Sequence, residues 1–183
     1  KTGDCRISGA CASLAGLEKA LLEETAVEVE LAIRRILLIH GIILTIGGIP
    51  LLYLGDEIAM LNDYGYSADP ARAHDSRWVH RPFSNWEQIA RRHELDTLEG
   101  KIFTGLRRLI RLRLEHPAFG GQENQALDTD NPHVLGYVRS HENQRILVYA
   151  NFSEEAQTLA GNLLRVYGTD YPLTDMLNGK EVP

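Results

Sequence analysis

Twenty consecutive residues, 36–55, contain no Asp, Glu, Lys or Arg, and this run constrains the fold more than any other feature. Its length would allow one helix to cross a bilayer. However, Gly47, Gly48 and Pro50 interrupt it, and glycine often ends a helix while proline does not continue one. The run therefore favours a helix, a glycine turn and a strand. A membrane helix stays the alternative, because bilayer helices tolerate Gly and Pro.

The residues around this run predict an amphipathic helix over residues 24–46 and a barrel strand over residues 49–54. Glu30 lies four positions before Arg34, as in an exposed ion pair on a helix. Residues 49–54 are uncharged and apolar, which is typical of a parallel strand buried on both faces. In a (β/α)8 barrel the functional groups lie at the carboxyl ends of such strands. Asp56 and Glu57 lie at this end, where they either join a site or only cap the strand.

The segment that follows, residues 56–96, has no long periodic pattern and is predicted to be a loop. A loop of this length is usually functional or disordered, and its aromatic content argues against disorder. A second helix is predicted over residues 97–115, because Asp96 and Glu99 have the spacing of a capping box and Pro117 follows its end. The basic residues of this helix are expected to form a solvated face.

The last third of the chain has the pattern of antiparallel β structure. The runs "VLGYVRS" and "RILVYANF" are separated by "HENQ", which predicts a hairpin. The pair Asn178-Gly179 is a second hairpin signal, and only four residues follow it. We therefore expect a β domain from about Phe119 onward whose C-terminal end is incomplete.

Composition excludes several classes of function. The chain has 183 residues, of which 44% are hydrophobic and 24% are charged, as in an ordinary globular protein of one or two domains. A formal net charge of −6 argues against nucleic acid as the main partner. Cys5 and Cys11 lack the spacing of a zinc site, so we expect two reduced thiols, no metal and no cofactor. The chain starts without Met, which suggests a fragment.

Three motifs connect the chain to a known family. The pattern G-x-P-x-x-x-x-G-x-E occurs at Gly48, Pro50, Gly55 and Glu57, and "TGDCRISG" and "LNDYGYSADPARAHDSRWVHRP" occur at residues 2–9 and 61–82. Together they resemble the α-amylase family of glycoside hydrolases, and within it the sucrose-using amylosucrases. Sucrose hydrolases of the same subfamily are the close alternative.

The resemblance implies a fold of the α/β plus all-β class. Residues 1–118 would form the last part of a (β/α)8 TIM barrel, with a helix, the eighth strand, a long loop and the final helix. Residues 119–183 would form an incomplete antiparallel β-sandwich domain.

The resemblance also implies an activity, namely glucosyl transfer from sucrose to an α-1,4-glucan with release of fructose by a retaining mechanism. The family's catalytic acids follow earlier barrel strands, so we expect no catalytic residue in this chain and no activity of this piece alone. Its expected partners are sucrose, α-glucan and the upstream part of the same barrel, without nucleic acid or membrane. Open sheet edges would favour self-association. Cytoplasmic and secreted locations both stay open, with the cytoplasm favoured.

Two arginines are the candidate substrate-binding residues. Arg77 matches a family position where an arginine pairs with an upstream aspartate to close the pocket floor around the glucosyl ring. A guanidinium suits carboxylates and sugar hydroxyls. Arg6 matches a family arginine on the acceptor side. Asp75 and Asp4 are expected to orient them. The alternative is that both are ordinary loop arginines.

The resemblance changes the role that is expected for Asp56 and Glu57. They are expected to support the rim of the eighth strand and organise its loop, and not to act as an acid/base pair. A different class of function also stays open: a noncatalytic carbohydrate-binding or interaction module built on the aromatic loop, in which Trp78 is expected to pack under the loop.

Overall fold

A computed structural model describes residues 7–161, 163 and 172–182. The α-helices are α1 (Cys11–Leu14), α2 (Leu17–Glu23), α3 (Ala26–Thr45), α4 (Trp86–Ala90), α5 (Leu98–Glu115) and α6 (Pro117–Gly120). The strands are β1 (Asn124–Leu127), β2 (Val134–His141), β3 (Gln144–Asn151), β4 (Leu173–Thr174) and β5 (Glu181–Val182). Short 3-10 helices cover Asp56–Ile58, Tyr64–Ala68, Ser76–His80 and Arg91–His93. The two predicted long helices are thus confirmed as α3 and α5.

The chain divides into two compact units. The first comprises the described parts of Lys1–His40 and Leu51–Arg107, and the second those of Gly41–Pro50 and Arg108–Pro183. Both units are discontinuous in sequence. The predicted division into residues 1–118 and 119–183 stays a prediction.

The core of the first unit lies where α3 packs on α5 and on the two N-terminal helices. Its buried residues are Ala12, Ala15, Leu17, Ala32, Ile33, Ile36, Ala59, Ile102 and Leu106. Each large aliphatic side chain in such a core contributes about 1.5–3 kcal/mol of stability relative to an exposed position. Arg35 Nη1 also donates to the carbonyl oxygen of Ala15 at 2.8 Å. This hydrogen bond ties α3 to the turn that precedes α2.

Helix α5 is capped by Thr97, so the predicted capping role of Asp96 is wrong by one residue. Thr97 Oγ1 accepts a hydrogen bond from Gly100 N at 3.0 Å and donates to the carbonyl oxygen of Glu94 at 2.7 Å. Glu99 does not reach back to the helix start. Its side chain is buried, and its Oε1 accepts from Arg91 Nη2 at 2.5 Å. Because Arg91 binds the Glu99 carboxylate, this carboxylate does not cap the helix as it would in a capping box.

Residues 49–54 do not form the predicted strand. Helix α3 ends at Thr45, and Gly47 and Gly48 follow with φ of 118° and 68°, which glycine adopts without strain. After this turn Ile49 is 98% exposed, Leu51 78% and Leu54 76%. A parallel strand needs a neighbour to pair its backbone groups, and none of the described strands pairs with this segment. The barrel part of the predicted fold is therefore not shown.

The run 36–55 does not form one helix, because α3 ends inside it. Across the described residues, the helices are all too short or too polar to span a bilayer.

The second unit contains an antiparallel sheet with strand order β1-β2-β3. The predicted hairpin is confirmed, since β2 and β3 pair from Val134 opposite Asn151 to His141 opposite Gln144. The tight turn between them places Glu142 at φ 49°. Strands β4 and β5 form a separate pair around the predicted Asn178-Gly179 turn. The sheet is consistent with the all-β C-terminal domain expected for the family.

Candidate functional site

Aspartates shape the long loop of the first unit into short 3-10 turns. Asp63 Oδ1 accepts from Gly65 N at 2.8 Å, and Asp75 Oδ1 accepts from Arg77 N at 3.0 Å. Such a side chain mimics a backbone turn two residues on, which is why aspartate recurs at these positions. The loop is thus ordered by local hydrogen bonds.

Arg77 is held by Asp75 in a two-pronged ion pair. Its Nε lies 2.9 and 3.0 Å from the two carboxylate oxygens, and its Nη2 donates to Oδ2 at 2.8 Å. The Arg77 guanidinium lowers the pKa of Asp75 to about 2, and Asp75 in turn raises the pKa of Arg77. The arginine side chain stays 64% exposed, while that of Asp75 is 21% exposed. The pair fixes the Arg77 guanidinium through Nε and Nη2, and Nη1 takes no part in it. The predicted substrate-binding role of Arg77 and orienting role of Asp75 stay predictions.

The side chains of Asp56 and Glu57 both accept hydrogen bonds from backbone N–H groups just before them in the chain. Glu57 Oε2 accepts from Gly55 N at 2.7 Å, and Asp56 Oδ2 accepts from Tyr53 N at 3.3 Å. Gly55 has φ of 101°, which lets the chain reverse there. The two acids therefore hold a tight turn. Their predicted role at the rim of a barrel strand stays a prediction.

His40 is a site residue that the sequence analysis missed. Its Nδ1 lies 2.8 Å from the carbonyl oxygen of Ile36, and its Nε2 lies 3.4 Å from Asp56 Oδ2. Burial opposes the charged ring, but the hydrogen bonds to Asp56 and Ile36 outweigh it, so the pKa of His40 is raised. A histidine inside a run without charged residues is the signal that could have identified it.

Arg72 is the second missed residue. Its guanidinium lies 5.9 Å from the ring centre of Trp78 and 5.2 Å from that of Phe83, and its Nε donates to Asp69 Oδ2 at 2.7 Å. Arg81 lies 6.0 Å from the same Trp78 ring. Cations therefore cover the half-buried Trp78, whereas Phe83 remains largely exposed.

A cavity of about 410 Å³ lies beside the start of α5 in the first unit. Its lining includes Leu21, Ala59, Leu61, Gln88, Arg91 and Glu99. Arg77 and Asp75 are not among the lining residues, so this cavity and the arginine turn are separate features. In the part of the chain that the structure describes, no three His, Cys, Asp or Glu side chains gather as metal ligands would.

Arg6 and Asp4, the residues predicted for the acceptor side, lie outside the described residues. The structure thus brings together Arg77 with Asp75, and Asp56 with its own turn and His40.

Similarity to known proteins agrees with the β structure of the second unit. Residues 124–183 match the family Maltogenic Amylase, C-terminal domain. Glucosylglycerate phosphorylase of Escherichia coli (strain K12) is 29% identical and aligns with 74% of this chain and 24% of its own length. Trehalose synthase of Thermus thermophilus is 29% identical and aligns with 68% of this chain and 15% of its own length. The chain thus spans a quarter or less of these relatives. These similarities relate residues 124–183 to a maltogenic amylase C-terminal domain, and they do not single out amylosucrase.

Proposed function

We propose that the chain is the C-terminal part of a sucrose-using transglucosylase, which transfers glucose to an α-1,4-glucan and releases fructose. The observation that carries the proposal is the pair Arg77–Asp75. Its three side-chain contacts fix the guanidinium although 64% of the arginine side chain is exposed. A fixed, accessible guanidinium is what recognition of sugar hydroxyls requires.

In this proposal the chain's own residues bind substrate and do not react with it. The retaining reaction needs two carboxyl groups about 5 Å apart on either side of the glycosidic bond. Asp56 and Glu57 are engaged by the backbone of their own turn. The catalytic carboxyl groups would therefore come from other parts of the whole protein. Arg77 would contact the glucosyl ring, and Arg6, supported by Asp4, would contact the acceptor.

The exposure of residues 49–54 supports the proposal that the rest of a barrel covers this segment in the whole protein. Ile49, Leu51 and Leu54 are each more than three-quarters exposed, although such residues are usually buried. The upstream part of the same barrel would pair with this segment and cover it on both faces.

The proposal is tested by incubating the whole protein with sucrose and separating the products. We expect fructose and a growing α-1,4-glucan. Equal amounts of free glucose and fructose without glucan would indicate a sucrose hydrolase instead. If no fructose is released, the sucrose-using function is wrong.

A second candidate, a noncatalytic carbohydrate-binding module, is favoured by exposed aromatic rings. Tyr64 is 60% exposed, Phe83 79% and Trp86 77%, and rings of this kind can stack on sugars. Titration of this chain alone with maltooligosaccharides separates the two candidates. Saturable binding that is lost in Trp86→Ala would favour the module, whereas the transglucosylase proposal predicts very weak binding by the isolated chain.

A further inference from the structure

Within the part of the chain that the structure describes, the hydrogen bonds of two arginines in the second unit go to backbone carbonyl groups. Arg113 Nη1 donates to Leu44 O at 2.5 Å and to Phe119 O at 2.9 Å, and its Nη2 donates to Gly48 O at 2.8 Å. Arg139 Nη1 donates to Ile46 O at 3.1 Å, and its Nη2 donates to Gly121 O. The contacts of both side chains within the described residues include no carboxylate. Among these residues, neither guanidinium therefore has an ionic partner.

The carbonyl groups compensate only part of this charge. Leu44 and Ile46 lie at the C-terminal end of α3, where unpaired carbonyl groups carry roughly half a negative charge. Two guanidinium groups therefore leave an excess of about one and a half positive charges. Burial lowers the pKa of Arg139 and so does the nearby positive charge of Arg113, although Tyr137 acts in the opposite direction.

Arg139 is also buried and incompletely bonded. The residue is 0% exposed, and its Nε has no hydrogen-bond partner among the described residues. An unpaired buried charged donor is costly, since desolvation is not repaid by a hydrogen bond. Native structures rarely retain such a donor without a compensating group.

Arg139 lines an open cavity of about 500 Å³. The lining also includes Gly47, Gly48, Gln122 and Asn124. Gly47 keeps the space beside the guanidinium open, because a Cβ there would lie 3.1 Å from Arg139 Nη1. Among the described residues, the lining contains Arg139 as a cation, two side-chain amides and no acidic residue.

We propose that this cavity binds a small oxyanion of the phosphate type beside Arg139. A phosphate group carries enough negative charge to balance the excess from Arg139 and Arg113, and it accepts several hydrogen bonds at once. Backbone around glycines approaches an anion closely, and the Gln122 amide can donate to it. The second N–H of Asn124 Nδ2 can also donate, while this nitrogen donates to Ile46 O at 2.7 Å. The site is separate from the Arg77 turn and does not depend on the proposed glucosyl transfer.

Calorimetric titration of this chain with inorganic phosphate, at constant ionic strength set with sodium chloride, tests the proposal. We expect saturable binding at one site, and binding at least about tenfold weaker in Arg139→Gln. Arg108→Gln is the matched control, because it removes an equal charge from an exposed position on α5. Acetate in a parallel titration should bind more weakly than phosphate, since it carries less charge.

A second variant covers the case in which Arg139→Gln fails to fold. Gln122 is exposed at the cavity lining, so Gln122→Glu adds a carboxylate there without disturbing the core. We expect it to weaken phosphate binding at least about fivefold through repulsion and competition for the arginines. Absence of saturable phosphate binding by the unmodified chain overturns the proposal. So does binding that Gln122→Glu leaves unchanged.

Discussion

His40 Nε2 lies 3.4 Å from Asp56 Oδ2, and the histidine residue is only 1% exposed. The contact joins α3 to the turn Asp56–Ile58 that follows the exposed apolar segment. Because Nδ1 also meets the Ile36 carbonyl oxygen, only the protonated ring can donate at both positions. The protonation state of His40 therefore decides how firmly α3 holds this turn.

The first prediction concerns the pH dependence of stability. The pKa of His40 is raised in the folded protein, so its stabilising contribution is fully present below the unfolded pKa of about 6.5 and is lost as the pH rises through the folded pKa. Urea denaturation at about pH 5.5 and about pH 8 should therefore show a fall in the free energy of unfolding that is smaller in His40→Gln. His74→Gln, at an exposed position, is the control. An equal fall in the His40 variant and in the unmodified chain contradicts the assignment.

The second prediction concerns the thiol of Cys11. Burial, with a smaller contribution from the Asp56 carboxylate, raises its pKa from 9.0 to about 11. The reactive thiolate is therefore about a hundredfold rarer near neutral pH than for an unperturbed cysteine. In Cys5→Ser, where Cys11 is the remaining cysteine, alkylation by iodoacetamide should be at least about tenfold slower in the folded chain than in urea. Equal rates in the two conditions would contradict the raised pKa.

The third prediction concerns Gly100 in the first turn of α5. A Cβ there would lie 1.9 Å from Glu94 O, which is backbone and has little room to move. Gly100→Ala should therefore destabilise the chain by about 2 kcal/mol or more, measured by urea denaturation. Gly120→Ala is the matched control in α6, since no heavy atom of the described residues, apart from its chain neighbours and its own helix backbone, would lie within 4 Å of the added Cβ. A Gly100→Ala effect no larger than that of the control would show that the Glu94 carbonyl does not limit this position.

Local patterns predicted the elements whose signals lie within a few residues. Helices α3 and α5 follow the 3.6-residue period of their apolar positions, and the β2–β3 hairpin follows two β-rich runs around a tight turn. Residues 49–54 differ, because an apolar run becomes a strand only when other strands pair with it. Their high exposure is the physical sign that this pairing is not supplied by the described residues.

Contacts of the candidate site could be predicted only where the two partners lie close together in the sequence. The pair Asp75–Arg77 spans two residues and follows from the loop motif. His40 and Asp56 lie sixteen residues apart, and their contact depends on how α3 meets the following turn. Thr97 and Asp96 are both good helix caps, so only the geometry of the first turn decides between them.

The fourth prediction concerns Arg6 in the proposed whole enzyme. If this arginine binds the sugar acceptor, Arg6→Ala should shift product formation from glucan toward free glucose, because water then competes better for the glucosyl intermediate. The measurement is the ratio of polymer to free glucose at equal sucrose consumption. An unchanged ratio would show that Arg6 does not select the acceptor.

The fifth prediction concerns Arg77 in the same enzyme. Loss of one charge-assisted contact to the glucosyl ring should lower kcat/KM for sucrose at least about tenfold in Arg77→Ala. Asp75→Asn should cause a smaller loss, because Arg77 keeps its charge but loses the ion pair that fixes its orientation. Arg108→Ala, at an exposed position on α5, is the control and should leave kcat/KM within about twofold. If Arg77→Ala also stays within about twofold, Arg77 is a structural partner of Asp75 alone, and the proposed contact with the sugar ring is wrong.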